Sequence, residues 1–427
     1  MTDTEKSRRT YLKTTAALGA AGVTGLSGCI GSISGGGGGG DGGAGPIHMG
    51  SILPITGSLS AYGGGMQQAV NLAKKHINDA GGPLGRTVKV HNKDSETKPS
   101  KAQQKYKSLV NENNIVGFVG AASSGVSVPL AKNVASDQVM QVSNASTTPA
   151  LAEIGYNDDE SLKYFGRTAP NDGQQGIVMG RIMNEDKFIG ADKAAFLHVA
   201  NAYGKGLAQK AKKAFDGETT AVVPYDKKSS DYTSTLDKLF EDDPDAIGFV
   251  GYPGNGKTIL KQWDNGGYGG EWVLSEGLND EGFFNSLKSI TDGMYLASPS
   301  PDSAKKSTKA FNEGMGDKSG TLFAAHAYDG LFLQALAMHK AGKASGKAIA
   351  KNIRAMSREG TKVYAGQFQK AKDLLDDGED INYQGASSPV DMNKSLEPLN
   401  KFAIMQIQQG KRKQLDTIER SWFEGKL

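Results

Sequence analysis

Hydroxyl-bearing residues follow two neighbouring β-type segments of this chain of 427 residues. Ser123 and Ser124 come before Gly125 and a helical pattern, and Thr147 comes after the next β-type segment. Hydroxyl groups, together with backbone N–H groups where a glycine-rich loop opens a helix, are donors that suit a free carboxylate. These residues predict a carboxylate-binding loop. The alternatives are that the serines only cap the helix and that Thr147 only stabilises a turn.

Acceptor groups follow two later β-type segments. Tyr252 comes after the segment 246–250, and Glu276 comes after the segment 272–274. A ligand ammonium group needs such acceptors, which include a carboxylate, a carbonyl oxygen and an aromatic face. The two residues therefore predict the second half of an amino-acid site. The alternatives are simple packing for Tyr252 and a solvated surface position for Glu276.

Short β-type runs alternate with helical patterns along most of the chain and would position these residues. One series runs from 47 to 142 and a second from 173 to 274, with several helices predicted to begin at a glycine or valine: Gly65, Val128, Gly176, Gly206 and Gly256. Strands that alternate with helices at this spacing imply βαβ units and parallel sheets. We therefore predict an α/β fold of two doubly wound parallel-sheet lobes joined by a hinge. In such sheets, ligands bind beyond the carboxyl ends of the strands.

The first 45 residues predict export and attachment to a membrane. The run 8–12 (RRTYL) resembles a twin-arginine export signal, and the apolar segment after it is far shorter than the roughly 20 residues that span a bilayer. The run 26–29 (LSGC) resembles a lipobox. We therefore expect residues 1–28 to be a signal peptide and 29–45 a glycine-rich linker carrying a lipid on Cys29. The alternative is a lone free cysteine near a disordered terminus.

Composition argues against several functional classes. The formal net charge is +3, and about +1 remains without residues 1–28, which hold four basic and two acidic residues. This balance, without a basic block, argues against nucleic acid as a partner. Cys29 is the only cysteine and the six histidines are scattered, which argues against disulfides, thiolate catalysis and metal sites. We expect no cofactor, and no enzyme activity because no nucleophile–base pairing is recognisable.

One motif predicts a different function. Residues 251–258 (GYPGNGKT) satisfy the P-loop pattern, after a predicted strand and before a predicted helix. Such a loop would make the protein a nucleotide hydrolase. The pattern also arises by chance in a chain this rich in glycine and lysine, and an exported protein meets little nucleotide. We therefore favour chance over nucleotide binding.

Eight short segments, in order along the chain, each fall on an expected loop: 53–63 (LPITGSLSAYG), 77–86 (INDAGGPLGR), 119–125 (VGAASSG), 145–151 (ASTTPAL), 165–170 (FGRTAP), 202–206 (AYGKG), 327–330 (AYDG) and 383–391 (YQGASSPVD). Through these segments the chain resembles the extracytoplasmic solute-binding proteins of branched-chain amino acid ABC transporters. That family has the type I periplasmic-binding-protein fold, also called the Venus-flytrap fold. The resemblance extends over nearly the full length that follows Cys29.

The resemblance implies roles for individual residues. The hydroxyl groups of Ser124 and Thr147 would take the ligand carboxylate, and the carbonyl of Ala145 would receive the ammonium group. Tyr252 and Glu276 match the second-lobe residues that complete ammonium recognition. Further residues in the matching loops or near the ligand side chain complete the predicted site: Tyr62, Ser123, Ser146, Tyr203 and Phe323.

The resemblance also implies how the chain is divided and what it does. Lobe 1 would hold residues 46–167 and 298–365, lobe 2 would hold 168–297 and 366–427, and the stretch 381–391 would form a hairpin. The implied function is a lipid-anchored, monomeric receptor outside the cytoplasm that delivers a small amino acid, of the branched-chain type, to an ABC permease. The alternatives are the same role for urea, a short-chain amide or an aromatic acid, and a ligand-sensing module.

Overall fold

The computed structural model describes residues 45–426, which form two α/β lobes. The predicted signal peptide, Cys29 and the linker as far as residue 44 lie outside the described residues. Within the described part of the chain, no helix is both long enough and apolar enough to cross a bilayer.

The strands between residues 45 and 426 are β1 (Ile47–Leu53), β2 (Val88–Asp94), β3 (Gly117–Gly120), β4 (Met140–Ser143), β5 (Phe165–Arg167), β6 (Lys193–Val199), β7 (Glu218–Tyr225), β8 (Ala246–Val250), β9 (Glu271–Leu274), β10 (Tyr295–Pro299), β11 (Thr361–Tyr364), β12 (Ile381–Gln384), β13 (Phe402–Gln408) and β14 (Lys411–Ile418). The α-helices are α1 (Ser60–Asp79), α2 (Pro99–Asn113), α3 (Ser124–Ala131), α4 (Asp172–Asn184), α5 (Ala202–Ala214), α6 (Thr233–Leu239), α7 (Pro253–Gly266), α8 (Glu281–Ser286), α9 (Lys305–Met315), α10 (Ala324–Lys340), α11 (Gly346–Asn352) and α12 (Phe368–Asp376). Short 3-10 helices lie at Pro83–Gly85, Pro149–Glu153, Glu276–Leu278, Gly316–Lys318, Ile353–Met356 and Arg420–Phe423.

Each lobe is built on one main sheet. The first sheet has the strand order β2-β1-β3-β4-β5, with every neighbouring pair parallel. The second has the order β14-β13-β10-β9-β8-β6-β7 and is parallel except at one edge, where β13 pairs antiparallel with β10 and β14. The prediction of two doubly wound parallel-sheet lobes is confirmed.

Several helices begin earlier than predicted, in the glycine-rich turns that face the cleft between the lobes. The helices α1, α3, α5 and α7 begin at residues 60, 124, 202 and 253, whereas 65, 128, 206 and 256 were the expected starts. Glycine has a low helix propensity, which makes such turns look like loops in the sequence. Tertiary packing overrides this preference here. A Cβ atom at Gly125 would lie 3.2 Å from Asn201 Cβ, and one at Gly206 would lie 2.8 Å from Thr148 Oγ1, so glycine lets α3 and α5 approach each other across the cleft.

The segment 381–391 is not the expected hairpin. Its strand β12 pairs in parallel with β11, and the residues after β12 have no regular structure. The buried carboxylate of Asp329 in α10 fixes this segment, because it accepts hydrogen bonds from Tyr383 OH (2.7 Å) and from the backbone N–H groups of Ala386 (2.7 Å) and Ser387 (2.9 Å). These bonds hold the chain in an extended path against the first lobe.

The expected lobe boundary at residues 365 and 366 is therefore wrong. Helix α12 packs against α10 and α1 of the first lobe, and the third crossing to the second lobe comes only between β12 and β13. The hairpin in this part of the chain is instead formed by β13 and β14, which Gln409 and Gly410 connect with positive φ angles of 51° and 78°. Two residues with positive φ are typical of the tight turns that join antiparallel strands.

Candidate functional site

The predicted site residues meet at the carboxyl ends of strands from both sheets. Between the lobes lies a cavity of about 20 Å³, measured as the space open to the centre of a water-sized sphere, which is room for one or two waters. The residues that line it are Leu59, Tyr62, Met66, Ala122, Ser124, Ala145, Tyr203, Tyr252, Glu276, Gly277, Leu322 and Phe323. In this conformation the cleft is closed around a small space.

Ser123 and Ser124 stand where β3 turns into α3. Ser124 Oγ accepts hydrogen bonds from the backbone N–H groups of Thr147 (3.1 Å) and Thr148 (3.2 Å), so its hydroxyl hydrogen remains available to a ligand. Ser123 is the N-cap residue of α3, but its side chain makes no capping hydrogen bond. Its Oγ instead lies 3.1 Å from Tyr252 OH in the other lobe. Capping is therefore not the role of these two side chains.

Thr147 and Ser146 follow β4 and differ in their environment. Thr147 Oγ1 is buried and has no hydrogen-bond partner among the described residues, which does not fit a turn-stabilising role. Ser146 Oγ bonds to Ala121 O (3.0 Å) and Ser127 Oγ (2.8 Å) inside the first lobe, and Ser146 does not line the cavity. Thr147, like Ser146, does not line the cavity, and its hydroxyl lies beside the carboxyl group of Asp172. Ser146 supports the loop from behind.

Tyr203, Tyr252 and Glu276 form the second-lobe wall. Tyr203 OH donates to Glu276 Oε2 over 2.8 Å, and the rings of Tyr203 and Tyr252 stack with their centres 5.6 Å apart. Glu276 is only 2% exposed, so it is not a solvated surface residue. Burial raises the pKa of Glu276 to about 7 and that of Tyr252 to about 12. The wall therefore presents a carboxylate that would be stabilised by a cation.

Asp172, at the start of α4, is a second buried acid that the sequence reasoning did not single out. Neither of its carboxylate oxygens has a hydrogen-bond partner among the described residues. Burial raises the pKa of Asp172, and the charge of Glu276 raises it further. Its backbone N–H donates to Thr147 O over 2.8 Å, which joins it to the ligand loop. An acid in the first turn of a helix is common, and the residue before it, Asn171, is the one that caps α4.

Tyr62, Ala145 and Phe323 complete the cavity. Tyr62 OH donates to the carbonyl of Gly277 in the second lobe over 3.1 Å, and burial raises the pKa of Tyr62. Ala145 lies at the first-lobe side of the cavity, and Phe323 precedes α10 with a φ angle of 58°. Seven of the ten predicted site residues thus line the cavity, and the other three, Ser123, Ser146 and Thr147, lie in the loops next to it.

Arg167 supports the ligand loop from beneath. Its Nη1 donates to the carbonyls of Ser146 (3.1 Å) and Thr148 (2.9 Å), and its Nε donates to Glu397 Oε2 (2.9 Å). Asn171 Nδ2 donates to the other oxygen of Glu397 over 3.0 Å. Because Glu397 belongs to the third crossing segment, this buried group of charges connects the ligand loop to the hinge.

The P-loop pattern at 251–258 does not have the geometry of a phosphate-binding loop. Helix α7 already begins at Pro253, and the N–H of Gly256 donates to Tyr252 O over 2.9 Å as part of the helix. Lys257 is exposed to solvent. A phosphate cradle needs several free N–H groups in a loop, and here the corresponding residues are helical.

The site as a whole combines a hydroxyl donor with two buried acids. Ser124 of the first lobe and Glu276 of the second lobe both line the cavity, whereas Asp172 and Thr147 lie next to each other outside its lining. Burial disfavours the charged forms of both acids, so a cation in the cavity would stabilise the Glu276 carboxylate. The arrangement is therefore complementary to a small molecule that carries both an anionic and a cationic group.

Comparisons with known proteins identify the family of this chain. A family model described as periplasmic binding protein matches residues 46–378. The chain is 33% identical over 366 residues to the chemotactic signal transduction system substrate-binding protein BasB of Halobacterium salinarum, with 85% of this chain and 87% of BasB covered.

Two solved structures share the fold. The branched-chain amino acid transporter substrate binding protein LivJ of Streptococcus pneumoniae, in complex with isoleucine, superposes with a TM-score of 0.71 at 23% identity, covering 87% of this chain and 99% of LivJ. An ABC transporter solute binding protein of R. palustris, in complex with benzoate, superposes with a TM-score of 0.70 at 17% identity, covering 87% of this chain and 96% of that one. The family match, the relative and the fold together lead to one conclusion: the chain belongs to the periplasmic binding proteins of the Leu/Ile/Val-binding type, which bind solutes outside the cytoplasm.

Proposed function

We propose that this protein binds an amino acid between its lobes and delivers it to the permease of an ABC importer. The observation that carries the proposal is the buried carboxyl group of Glu276 in the same cavity as the Ser124 hydroxyl, with a second buried acid, Asp172, whose pKa the charge of Glu276 raises. The ligand carboxylate would accept from the Ser124 hydroxyl group, and its ammonium group would bind the two acids. Hydrogen bonds to charged groups contribute about 1.5–3 kcal/mol each.

The same pair of acids argues against the alternative solutes. An aromatic acid, such as the benzoate bound by the R. palustris protein, would bring a further negative charge beside two acids whose charged forms burial already disfavours, and it would bring no cation. Urea and short-chain amides are neutral and would supply no cation to the buried carboxylate of Glu276. A branched-chain amino acid, such as the isoleucine bound by LivJ, supplies the cation, and the apolar residues Leu59, Met66 and Leu322 surround the remaining space.

Calorimetry with matched ligands tests this proposal. We expect leucine to bind the purified protein, and we expect 4-methylpentanoate, which lacks the amine, and leucinamide, which lacks the carboxylate, to bind at least tenfold more weakly. Urea and benzoate serve as controls for the alternative solutes. Binding of benzoate with no binding of any amino acid would overturn the amino-acid assignment.

Ligand sensing is the second candidate function, because the relative BasB belongs to a chemotactic signal transduction system. The closed, loaded protein would then contact a transducer in place of a permease. Cells that lack this protein distinguish the two roles. Loss of amino-acid uptake supports transport, whereas normal uptake with lost movement toward the amino acid supports sensing.

Anchoring to the outer face of the membrane, through a lipid on Cys29 after twin-arginine export, completes the proposal. It rests on the sequence of residues 1–45. Mass spectrometry of the mature protein should find a lipid-modified N-terminal Cys29, and Cys29→Ser should release the protein from the membrane fraction. Sedimentation should find the released protein to be a monomer. An unmodified Cys29 in membrane-extracted protein would refute the anchor.

A further inference from the structure

His326 lies in the first turn of α10, and the site described above does not use its imidazole. Both ring nitrogens are buried and have no hydrogen-bond partner among residues 45–426. Burial lowers the pKa of His326 to about 3, so the ring is neutral and offers one N–H donor and one nitrogen acceptor. Buried polar atoms are nearly always paired in proteins. The ring is therefore placed to receive a group that can both donate and accept.

Phe323 separates His326 from the ligand cavity. The two rings meet edge to face with their centres 5.0 Å apart, and Phe323 also lines the cavity. A groove of about 430 Å³, measured in the same way as the cavity, runs past both residues toward Met405 of the second lobe. The cavity and the groove share Leu322 and Phe323 as lining residues. The partition between them is thus formed by these two side chains.

In this closed conformation the cavity is much smaller than the groove behind Phe323. Its volume of about 20 Å³ holds one or two waters, whereas the groove behind Phe323 is many times larger. Phe323 has a φ angle of 58°, which bulky residues rarely adopt and which is found at ligand clamps and switch regions. A movement of Phe323 would join the two spaces and uncover the imidazole of His326.

We propose that the groove is the side-chain subsite of this receptor and that His326 binds the polar end of the ligand's side chain. This inference rests on the amino-acid-binding function proposed above. The groove is mainly apolar, with walls that include Pro299, Phe311 and Met405. Polar residues such as Asn279, Thr308 and Gln414 also line the groove. Of the lining residues, however, only His326 has buried side-chain nitrogen or oxygen atoms without a partner among residues 45–426. Apolar walls with this one unpaired donor–acceptor favour a side chain with an apolar body and an uncharged hydroxyl end, as in tyrosine.

A charged end is disfavoured by Arg412, which also lines the groove. Its guanidinium would repel a cationic side chain such as that of lysine. An anionic side chain gains little from Arg412, because Nη1 already donates to Asn279 Oδ1 (2.9 Å) and Nη2 lies 3.9 Å from Glu281 Oε2. The preferred ligand class is therefore uncharged at its distal end.

Calorimetry with tyrosine and phenylalanine, which differ by one hydroxyl, tests the subsite. The wild-type protein should bind tyrosine about tenfold more tightly than phenylalanine, because one hydrogen bond of the usual strength gives that ratio. His326→Leu should abolish the preference while phenylalanine still binds, and His326→Gln, which keeps a donor and an acceptor, should retain part of it. The matched control is His91→Leu, in β2 and outside the cavity and groove, which should keep the wild-type ratio.

Three outcomes decide the matter. Equal binding of tyrosine and phenylalanine by the wild-type protein overturns the subsite but leaves the amino-acid function standing. An unchanged ratio in a folded His326→Leu variant also overturns it. No binding of any amino acid overturns the function and the subsite together. Should His326→Leu fail to fold, the wild-type ratio and the His326→Gln ratio still decide.

Discussion

Ser123 Oγ of the first lobe lies 3.1 Å from the phenolic oxygen of Tyr252 in the second lobe. Two more hydrogen bonds cross between the lobes, from Tyr62 OH to Gly277 O (3.1 Å) and from Lys227 Nζ to Thr97 O (2.9 Å). These hydrogen bonds join the two lobes directly and do not involve a ligand. Substitutions at them should therefore change the equilibrium between the open and closed forms without removing a contact to the ligand.

Removing the contact between Ser123 and Tyr252 should favour the open form. We expect Ser123→Ala and Tyr252→Phe each to weaken leucine binding by up to about tenfold, since a neutral hydrogen bond contributes about 0.5–1.5 kcal/mol. Small-angle scattering should also find a larger radius of gyration for the ligand-free variants. The control is Tyr268→Phe, a second-lobe tyrosine bonded to Asp237 away from the cleft. A double variant much weaker than the sum of the two singles would contradict a shared bond.

Replacing Glu276 by glutamine should weaken binding and raise stability at the same time. Leucine affinity should fall roughly tenfold to hundredfold, because a charged hydrogen bond is lost. Burial raises the pKa of Glu276 to about 7 in the folded protein, whereas the pKa in the unfolded chain is about 4.3. The stability that the protonated carboxyl group contributes is therefore fully present below a pH of about 4.3, and it is lost as the pH rises through about 7.

At pH 8 the ligand-free Glu276→Gln variant should therefore be more stable than wild type by about 3 kcal/mol, and at pH 4 the difference should disappear. Chemical denaturation at both pH values measures this. Glu271→Gln, at the exposed start of β9, the strand that precedes Glu276, is the control and should change neither quantity. A variant that is less stable at pH 8 would contradict the account.

Ligand affinity should depend on pH through the same carboxyl group. As pH falls below about 7, Glu276 becomes protonated in the free protein and loses its attraction for an ammonium group. Leucine affinity should then fall by up to about tenfold per pH unit. Asp172→Asn should weaken binding mainly at high pH, because the raised pKa of Asp172 leaves its carboxyl group uncharged at low pH. Asp186→Asn, at an exposed acid in the loop after α4, should not weaken binding. Affinity that stays constant from pH 8 to pH 5 would contradict this prediction.

Breaking the buried pair between Arg167 and Glu397 should destabilise the fold. Arg167 is fully buried, so Glu397→Leu would leave its charge uncompensated, and we expect a loss of about 3–5 kcal/mol. The double variant Arg167→Met/Glu397→Leu should recover much of this loss. Arg181→Met, which breaks a partly exposed pair with Glu185, should cost only about 1 kcal/mol or less. Denaturation measures the free energy of unfolding of each variant. Equal losses in Glu397→Leu and Arg181→Met would contradict the difference expected between a buried and a partly exposed ion pair.

Nucleotide should have no effect on this protein. Because the turn at Pro253 to Gly256 is helical and Lys257 is exposed, Mg-ATP should leave the melting temperature unchanged. Lys257→Ala should bind leucine as the wild type does. A rise of several degrees with Mg-ATP that Lys257→Ala abolishes would restore the P-loop interpretation.

Local patterns predict much of this fold, and tertiary contacts explain the rest. The apolar face of α1 (Met66, Ala69, Val70, Ala73 and Ile77) is buried as its spacing predicts. The local pattern predicts the glycine-rich helix starts too late because the glycines answer to tertiary contacts. Gly125 and Gly206 meet the other lobe, whereas Gly65 and Gly256 meet residues of their own lobe. The path of residues 381–391 depends on Asp329, more than fifty residues earlier, and no local pattern encodes that contact.

The site, too, is predicted in part by local patterns and in part only by tertiary contacts. In the sequence alone, Glu276 looks like a surface residue. Its binding role is predicted only from its position relative to the loop segments that resemble the solute-binding family. Asp172 was missed because its unpaired oxygens and its proximity to Glu276 arise from folding. His326 carries no motif at all, and only burial of both nitrogens identifies it.

The hydrogen bonds between the lobes also have a kinetic consequence. A ligand enclosed beneath Tyr62 and Tyr252 cannot leave until the bonds that close the cleft have broken, so its dissociation rate cannot exceed the rate at which the lobes separate. Two ligands of different affinity would then share the same upper limit on release. The residence time of the ligand is set in part by protein atoms that never touch it, among them Lys227 Nζ and Thr97 O.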